Sequence, residues 1–291
     1  MKKLMAILTA AAAMCSVVPF AASAEEVNEK NYIPTVYFKA QTSENGIVLP
    51  QGVVYFNTKA ANPKTSAEVY IKDDFKRIGQ MFIKWTYPDG IKLSNIQDPI
   101  SAGKLSPYKA FTKPEDFGIN NTPDRNLMGI SYTDTNTDPI ALSAEKSDSF
   151  PIAYFDIAVD ASAAADYYDI AFKTEQPDVA NIAYRPSDGS IRDIRPSGEN
   201  APSLTLAVTD RALGDVNADN KIDAMDASSV LTDYTLRSAN KDGILSKEGL
   251  IAADVNGNRK VDAMDASTIL SYYAYSSKKE SLHQEIRRCS L

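Results

Sequence analysis

Two segments in the C-terminal third place oxygen-bearing side chains at matching positions. The first runs from Gly214 to Leu231, and it recurs as Ala253 to Leu270. We name residues 215–226 loop 1 and residues 254–265 loop 2. In each loop, carboxylate or amide side chains stand at positions 1, 3, 5, 9 and 12. Because a hard cation such as Ca²⁺ takes about six to eight oxygen ligands, each loop is a candidate metal site.

The spacing follows the calcium loop of EF-hand proteins, in which position 7 contributes its backbone carbonyl. Asp- and Asn-rich turns without metal are the alternative, but two copies that both run into a helical pattern favour calcium. The predicted ligands of two Ca²⁺ ions are Asp215, Asn217, Asp219, Lys221, Asp223 and Asp226 in loop 1, and Asp254, Asn256, Asn258, Lys260, Asp262 and Asp265 in loop 2.

Both loops depart from the EF-hand pattern. Position 12 is Asp instead of Glu, and position 6 is Asn220 or Arg259 where the pattern has Gly. Asn tolerates the left-handed backbone expected there, whereas Arg costs about 1 kcal/mol. At position 8, Ile222 and Val261 predict a short β-bridge between the loops. Apolar residues at helical spacing follow each loop, and we expect one helix after each.

The segment from Leu213 to Ser277 resembles a type I dockerin, the cohesin-binding module of cellulosomal proteins. Dockerins carry two half EF-hands, Asp at position 12 and a short middle helix, here expected at Ser246 to Ala252. The resemblance implies calcium-dependent binding to a cohesin, with loop positions 10 and 11 among those that select the partner: Ala224, Met225, Ala263 and Met264. One or two symmetric binding modes remain open, and so does the alternative that both methionines fill the core.

The N-terminus predicts export. Lys2 and Lys3 precede the apolar run Leu4 to Val18, and Ala22 to Ala24 provides small residues for cleavage, so residues 1–24 are predicted to be a signal peptide. The run is short and rich in Ala, and the chain has no second hydrophobic stretch long enough to span a membrane. Both features argue against a membrane helix. We therefore expect a secreted, extracellular protein, held at the cell surface through partner scaffoldins.

Charge and cysteine content limit the partners and the covalent structure. The chain has 31 basic and 38 acidic residues and a net charge of -7, which argues against nucleic acid as a partner. Beyond the signal, Cys289 is the remaining cysteine, so no internal disulfide can form. We expect residues 279–291, which include Cys289 and the single histidine, His283, to be a flexible tail.

Residues 31–209 read as β throughout, and we predict an all-β jelly-roll sandwich. Apolar residues alternate clearly in two stretches, one around Trp85 and one around Phe155. The predicted strands are Thr35 to Ala40, Val53 to Asn57, Ala67 to Lys72, Gln80 to Tyr87, Leu127 to Tyr132, Ile152 to Val159, Tyr167 to Phe172, Ile182 to Tyr184 and Leu204 to Val208.

Two stretches of this domain resemble cohesins. Gly79 to Leu93 resembles their third strand, and the segments Ile152 to Asp160 and Tyr167 to Phe172 resemble their paired late strands. The resemblance implies a cohesin-like sandwich at 31–209 before a small all-α dockerin domain at 210–278. Residues 94–149 exceed a usual cohesin and are treated as an insertion, so no interface residue is predicted in the sandwich.

Two other functions are weighed for the sandwich. A carbohydrate-binding module would need exposed aromatic residues; Trp85 alternates as a core residue does, so Tyr108 and Phe111 are the better candidates. A Ser-His or Cys-His hydrolase is excluded because the domain contains no His or Cys. A small polysaccharide-degrading enzyme would need only two carboxylates, but spacing marks no pair among residues such as Asp156 and Asp169.

We therefore predict a noncatalytic adaptor scaffoldin of a cellulosome. Its dockerin would bind a cohesin on a larger scaffoldin. Its cohesin-like domain would bind the dockerin of an enzyme or another cellulosomal component. A dockerin-borne carbohydrate-binding module or a small polysaccharide-degrading enzyme remains the alternative.

Overall fold

The computed structural model describes residues 29–75, 78–103, 116–133, 149–175 and 180–289. The predicted signal peptide lies outside this part of the chain, and so do Tyr108 and Phe111. The described residues form a β-sandwich followed by three α-helices. This architecture confirms the predicted fold class.

The sandwich consists of two sheets, one of four strands in the order β1-β4-β9-β6 and one of nine. In the larger sheet the order is β12-β11-β5-β10-β13-β3-β2, and β8 joins β5 to β7. All pairings are antiparallel except that of β13 with β3. The strands are β1 Thr35–Ala40, β2 Gly46–Val48, β3 Val54–Asn57, β4 Lys64–Lys72, β5 Ile78–Thr86, β6 Ile91–Gln97, β7 Phe117–Thr122, β8 Leu127–Thr133, β9 Ser149–Val159, β10 Asp166–Phe172, β11 Asn181–Tyr184, β12 Arg192–Ile194 and β13 Leu204–Thr209.

The main core lies between the two sheets. In β5, Met81, Ile83 and Trp85 point inward, and Phe155 and Ile157 of β9 face them from the other sheet. Trp85 is fully buried and lies 5.4 Å from the ring of Phe155, so its predicted core position is confirmed. The alternation of apolar residues predicted this core position correctly, because successive side chains of a strand point to opposite faces of the sheet.

All nine predicted strands are present, and four further strands were not predicted: β2, β6, β7 and β12. These four are short or carry a largely polar sequence, so their alternation is weak. Two of them, β6 and β7, lie at least partly within 94–149, as does β8, which pairs with β5 over seven residue pairs. Part of the predicted insertion is therefore integral to the larger sheet.

The helices are α1 Ala224–Ser238, α2 Lys247–Ala253 and α3 Ala263–Cys289. Each loop leads directly into a helix, and the middle helix begins after its N-cap Ser246, as predicted. The third helix differs from the prediction, because its backbone continues to Cys289 through most of the segment expected to be a flexible tail. That segment lacks Gly and Pro and is rich in Lys, Glu and Arg, which favour helix.

A second hydrophobic cluster joins the sandwich to the helical module. Tyr55 and Ala207 contribute from the outer face of the larger sheet, and Val230, Ile251 and Ile269 contribute from the three helices. The short α2 lies against β10 and β13. The outer face of this part of the sheet is therefore covered by the helical module, and only residues 210–214 separate the last strand from loop 1.

Candidate metal centre and its surroundings

Loop 1 begins at Asp215, whose carboxylate is almost completely buried. Its Oδ2 accepts a hydrogen bond from the backbone amide of Asn220 at 3.0 Å. Its Oδ1 is buried and has no hydrogen-bond partner among the described residues. A buried carboxylate oxygen without a partner is costly, and a cation in the loop would supply the missing partner. The donor set and this unpaired oxygen fit a calcium ion.

The same turn chemistry curls both loops. At positions 3 and 5, a side-chain oxygen accepts the amide two residues ahead, and at position 9 the Asp side chain accepts the amide of the Met at position 11. In loop 1 the acceptors are Asn217, Asp219 and Asp223, and in loop 2 they are Asn256, Asn258 and Asp262. These local side-chain-to-backbone bonds fix the turns of each loop.

Position 12 closes each loop from the first turn of the following helix. Asp226 accepts the backbone amides of Val216 at 3.0 Å and Asp223 at 2.9 Å. Asp265 makes the equivalent bonds to Val255 and Asp262, both at 3.1 Å. Although the side chain of Asp is shorter than that of Glu, it reaches across the loop to the backbone amides of positions 2 and 9.

Burial shifts the pKa values of three carboxylates in the loops. It raises the pKa of Asp226 and of Asp254, and it raises the pKa of Asp265 to about 7. Each carboxylate is poorly solvated and lies close to other acidic groups of its loop. A divalent cation among them would lower these pKa values because it favours the ionised form.

All twelve predicted metal residues lie in the two loops, including Lys221 and Lys260, which were chosen for their backbone carbonyls. In the described part of the chain, no three His, Cys, Asp or Glu side chains are already gathered as a metal cluster. Loop 1 has four Asp residues and loop 2 has three, and each loop adds amide side chains and a backbone carbonyl to the predicted ligands. The oxygen set is thus mixed.

Backbone geometry at position 6 follows the prediction. Asn220 has φ 64° and Arg259 has φ 61°, both in the left-handed region. The predicted β-bridge is wrong: the described backbone has no bridge at Ile222 or Val261. Both side chains are instead partly buried against the second cluster, next to residues such as Ile269. Side-chain packing against the second hydrophobic cluster therefore takes the place of the expected backbone bridge between the loops.

The four residues predicted to select a partner, Ala224, Met225, Ala263 and Met264, are all exposed. The methionines are 64% and 58% exposed, so neither fills the core. Further along α1 and α3, two more equivalent pairs are exposed: Leu231 with Leu270, and Tyr234 with Tyr273. The two helices pack against each other and present this apolar surface to solvent in two related copies.

The two carboxylates considered for an enzyme lie on different sheets. Asp156 of β9 accepts a hydrogen bond from Asn95 at 2.7 Å. Asp169 of β10 accepts hydrogen bonds from Arg259 and Thr205, both at 2.6 Å. Each carboxylate is thus held by hydrogen bonds within its own part of the molecule.

One feature of the site was not predicted from the sequence: loop 2 contacts the sandwich. Tyr167 of β10 donates its hydroxyl to Asp254 Oδ2 at 2.8 Å, and Arg259 reaches Asp169 on the same strand. The signal for this contact lies where the loops differ. Position 4 is Ala218 in loop 1 and Gly257 in loop 2, and position 6 changes from Asn to Arg.

No helix in the described residues is both long and apolar enough to cross a membrane.

Comparison with known proteins identifies the helical module. Residues 213–272 match the family model of the dockerin type I domain. Type I dockerins are calcium-binding, noncatalytic modules. No curated protein matches the chain.

Solved structures match the sandwich. A type I cohesin of ScaB from Pseudobacteroides cellulosolvens has 13% identity and a TM-score of 0.37, covering 54% of this chain and 88% of that chain. CaCohA2 from Clostridium acetobutylicum has 15% identity and a TM-score of 0.39, covering 61% and 93%. The major pilin subunit of Bacillus cereus has 9% identity and a TM-score of 0.34, covering 60% and 40%. The fold of the sandwich is established by its own strand pairing.

Proposed function

Starting from a dockerin type I match at residues 213–272, we propose that this chain is a noncatalytic adaptor scaffoldin. Its helical module binds a cohesin of a larger scaffoldin in a calcium-dependent way, and its sandwich binds the dockerin of another component. The single observation that carries the proposal is a dockerin-type module with a duplicated exposed apolar surface, joined in one chain to a β-sandwich.

Two calcium ions are proposed, one in each loop. Asp215 Oδ1 has no hydrogen-bond partner in the described structure, and the pKa of Asp265 is raised to about 7 by burial. Both observations describe carboxylates that lack a compensating positive charge. The ligands are the side-chain oxygens at positions 1, 3, 5, 9 and 12, together with the carbonyl oxygens of Lys221 and Lys260.

The cohesin-binding surface is proposed on α1 and α3 around Met225 and Met264. The exposed methionines, leucines and tyrosines repeat at equivalent positions of the two helices, as the loops do. An apolar surface of this kind favours a partner that buries it, since exposed apolar groups gain most when water is removed. The repetition allows a cohesin to bind in either of two related orientations.

The sandwich is proposed as the binding site for a second dockerin. The strands that resemble cohesins, β5, β9 and β10, all lie in its two sheets. Its outer face at β10, β13, β3 and β2 is already covered by the helical module, so a partner must use other surfaces. Residues 1–24 are proposed to direct secretion, which would place the adaptor outside the cell.

Isothermal titration of residues 25–291 against panels of purified cohesins and dockerins tests the proposal. We expect binding to at least one cohesin in calcium and none in EDTA, and binding to at least one dockerin through the sandwich. Asp215→Asn combined with Asp254→Asn should remove cohesin binding and leave dockerin binding by the sandwich intact. That separation distinguishes loss of calcium from general unfolding.

The alternatives predict different results. A carbohydrate-binding module would be retarded in polysaccharide gels, and a glycosidase would release reducing sugar from cellulose or xylan. Either outcome, together with no binding to any dockerin, would contradict the adaptor function. Cohesin binding that persists in EDTA would contradict the proposed role of calcium.

A further inference from the structure

We propose that the β-sandwich forms part of the second calcium site, with Tyr167 as a positioning residue for Asp254, so that calcium binding by loop 2 depends on the sandwich and binding by loop 1 does not. The inference rests on the proposed binding of calcium by both loops. It concerns residues outside the loops, to which neither the loop pattern nor the dockerin match assigns a role.

The first contact is made by Tyr167 of β10. Its hydroxyl donates to Asp254 Oδ2 at 2.8 Å, and Asp254 occupies position 1 of loop 2. The other bonds to this carboxylate come from backbone amides of loop 2, among them Arg259 to the same Oδ2 at 2.9 Å. A sandwich side chain therefore orients a proposed metal ligand. Partners of this kind commonly change metal affinity because they fix the direction of the ligand.

The second contact is made by Arg259 at position 6. Its guanidinium donates to Asp169 Oδ1 at 2.6 Å and to Thr205 Oγ1 at 2.7 Å, on β10 and β13. It also lies 5.3 Å from the centre of the Tyr167 ring, within the range of a cation–π interaction. These three contacts to the sandwich offset the strain of a left-handed backbone at Arg259. They explain why Arg occupies this position.

The third contact is made by the backbone of loop 2. Gly257 is buried at φ +77°, and a Cβ at this position would lie 3.0 Å from Leu49 Cβ and 3.2 Å from Val53 Cβ. Beside it, the amide of Gln51 donates to the carbonyl of Asn256 at 3.2 Å. The turn between β2 and β3 therefore packs directly on loop 2, and a larger residue at position 257 would be both strained at this φ and crowded against the turn.

Loop 1 has no equivalent of these three contacts among the described residues. Tyr55 of β3 is close enough to Asp215 to interact with its charge, but its hydroxyl donates to the carbonyl of Arg211 at 2.9 Å. Residues 217–220 are exposed, and Ala218 replaces the buried Gly257. Among the described residues, no sandwich side chain donates a hydrogen bond to Asp215. The two loops share most of their internal bonds, but Asp254 Oδ1 accepts the amides of Gly257 and Asn258, whereas Asp215 Oδ1 has no partner among the described residues. If docking of the sandwich raises the calcium affinity of loop 2, calcium must strengthen docking by the same factor.

The test follows calcium binding to residues 25–291 by titration calorimetry and by NMR, using the amides of Asn220 and Arg259 to report on loop 1 and loop 2. Tyr167→Phe keeps the ring and removes the hydroxyl that contacts Asp254. We expect it to weaken calcium binding at loop 2 by about tenfold or more and to leave loop 1 unchanged. Tyr168→Phe is the matched control, because the Tyr168 hydroxyl bonds to Ala164 and not to either loop.

A second variant keeps the test decisive if Tyr167→Phe is poorly folded. Arg259→Asn introduces the residue that loop 1 uses at this position, so it removes the contacts to Asp169 and Thr205 without straining the backbone. It should also weaken loop 2 selectively. In hydrogen exchange, calcium should protect the 49–53 turn of the unmodified chain, and less so in this variant.

The outcomes are separable. Calcium uptake at both loops that neither Tyr167→Phe nor Arg259→Asn alters would overturn this inference and leave the proposed function standing. Equal weakening of both loops would also overturn it, since the effect would then be global. Failure of the unmodified chain to bind calcium would overturn the proposed function, and this inference with it.

Discussion

Loop 1 and loop 2 are identical at eight of twelve positions and share most of their internal hydrogen bonds, but they differ in their surroundings. Residues 217–220 of loop 1 are open to solvent, whereas Gly257 of loop 2 is buried against the β2–β3 turn. At position 1 of loop 2, Tyr167 of the sandwich bonds to Asp254 Oδ2 and two amides of the loop bond to Oδ1, whereas Asp215 Oδ1 in loop 1 has no partner among the described residues. Duplicated sequence has thus been placed in two different environments.

The comparison shows how a module with internal symmetry can become asymmetric without losing its symmetric surface. The side that packs on the sandwich involves loop 2 and α2. The exposed side, around Met225 and Met264, remains equivalent in the two copies. Contact with the sandwich therefore does not reduce the choice of orientations that we propose for a cohesin.

The largest effect is expected at position 12. Asp265→Ala removes a ligand of loop 2 and leaves backbone amides, including those of Val255 and Asp262, without an acceptor. Unpaired buried amides alone should lower the free energy of unfolding by about 1–3 kcal/mol. Urea unfolding in calcium measures this, with Asp226→Ala as the control in loop 1. Hydrogen exchange in the 49–53 turn should rise only for Asp265→Ala; an equal rise in both variants would show that the loops do not differ.

Position 4 tests the packing of the loops directly. Gly257→Ala places a side chain at φ +77° and against Leu49, and should lower the free energy of unfolding by at least about 1–2 kcal/mol. Ala218→Gly in exposed loop 1 should leave stability nearly unchanged, because relief of strain and added chain entropy oppose each other. Denaturant midpoints compare the two. A tolerated Gly257→Ala would mean that loop 2 does not pack closely on the sandwich.

The exposed methionines test where the two copies remain alike. Met225→Asp and Met264→Asp should each weaken cohesin binding by only about twofold, because the other orientation remains available, whereas the double variant should weaken it by about tenfold or more because it places a charge in both copies of the apolar surface. Calorimetry with a cognate cohesin provides the measurement. A large loss for one variant and none for the other would indicate a single binding orientation.

The smallest effect is expected at the ion pair between Asp169 and Arg259. Both side chains are partly exposed, so Asp169→Asn should lower the free energy of unfolding by only about 0.2–1 kcal/mol. Thermal unfolding at low salt resolves the change best, because salt screens exposed pairs. Asp193→Asn, which removes an exposed pair with Arg195 far from the loops, is the control. A loss of several kcal/mol would mean that Asp169 is central to docking.

Much of the fold was accessible from the sequence because its signals are local. Alternation around Trp85 and Phe155 identified the core strands, and the N-cap of α2 and the loop-to-helix transitions were readable from neighbouring residues. Strands β2, β6, β7 and β12 were missed because their pairing partners, which lie elsewhere in the chain, stabilise them more than their own sequence does. The β-bridge between the loops was wrong because side-chain packing of Ile222 and Val261 took its place.

The sequence alone determined the spacing of the loop oxygens, because the ligands of one loop are set by separations of a few residues. It left open whether Met225 and Met264 are exposed or fill the core, and the structure decided that they are exposed. The sequence could not determine that Tyr167 holds Asp254 or that Arg259 contacts Asp169, since these partners are about 90 residues apart. Such contacts depend on how the outer face of one sheet is packed, and only the tertiary structure decides that.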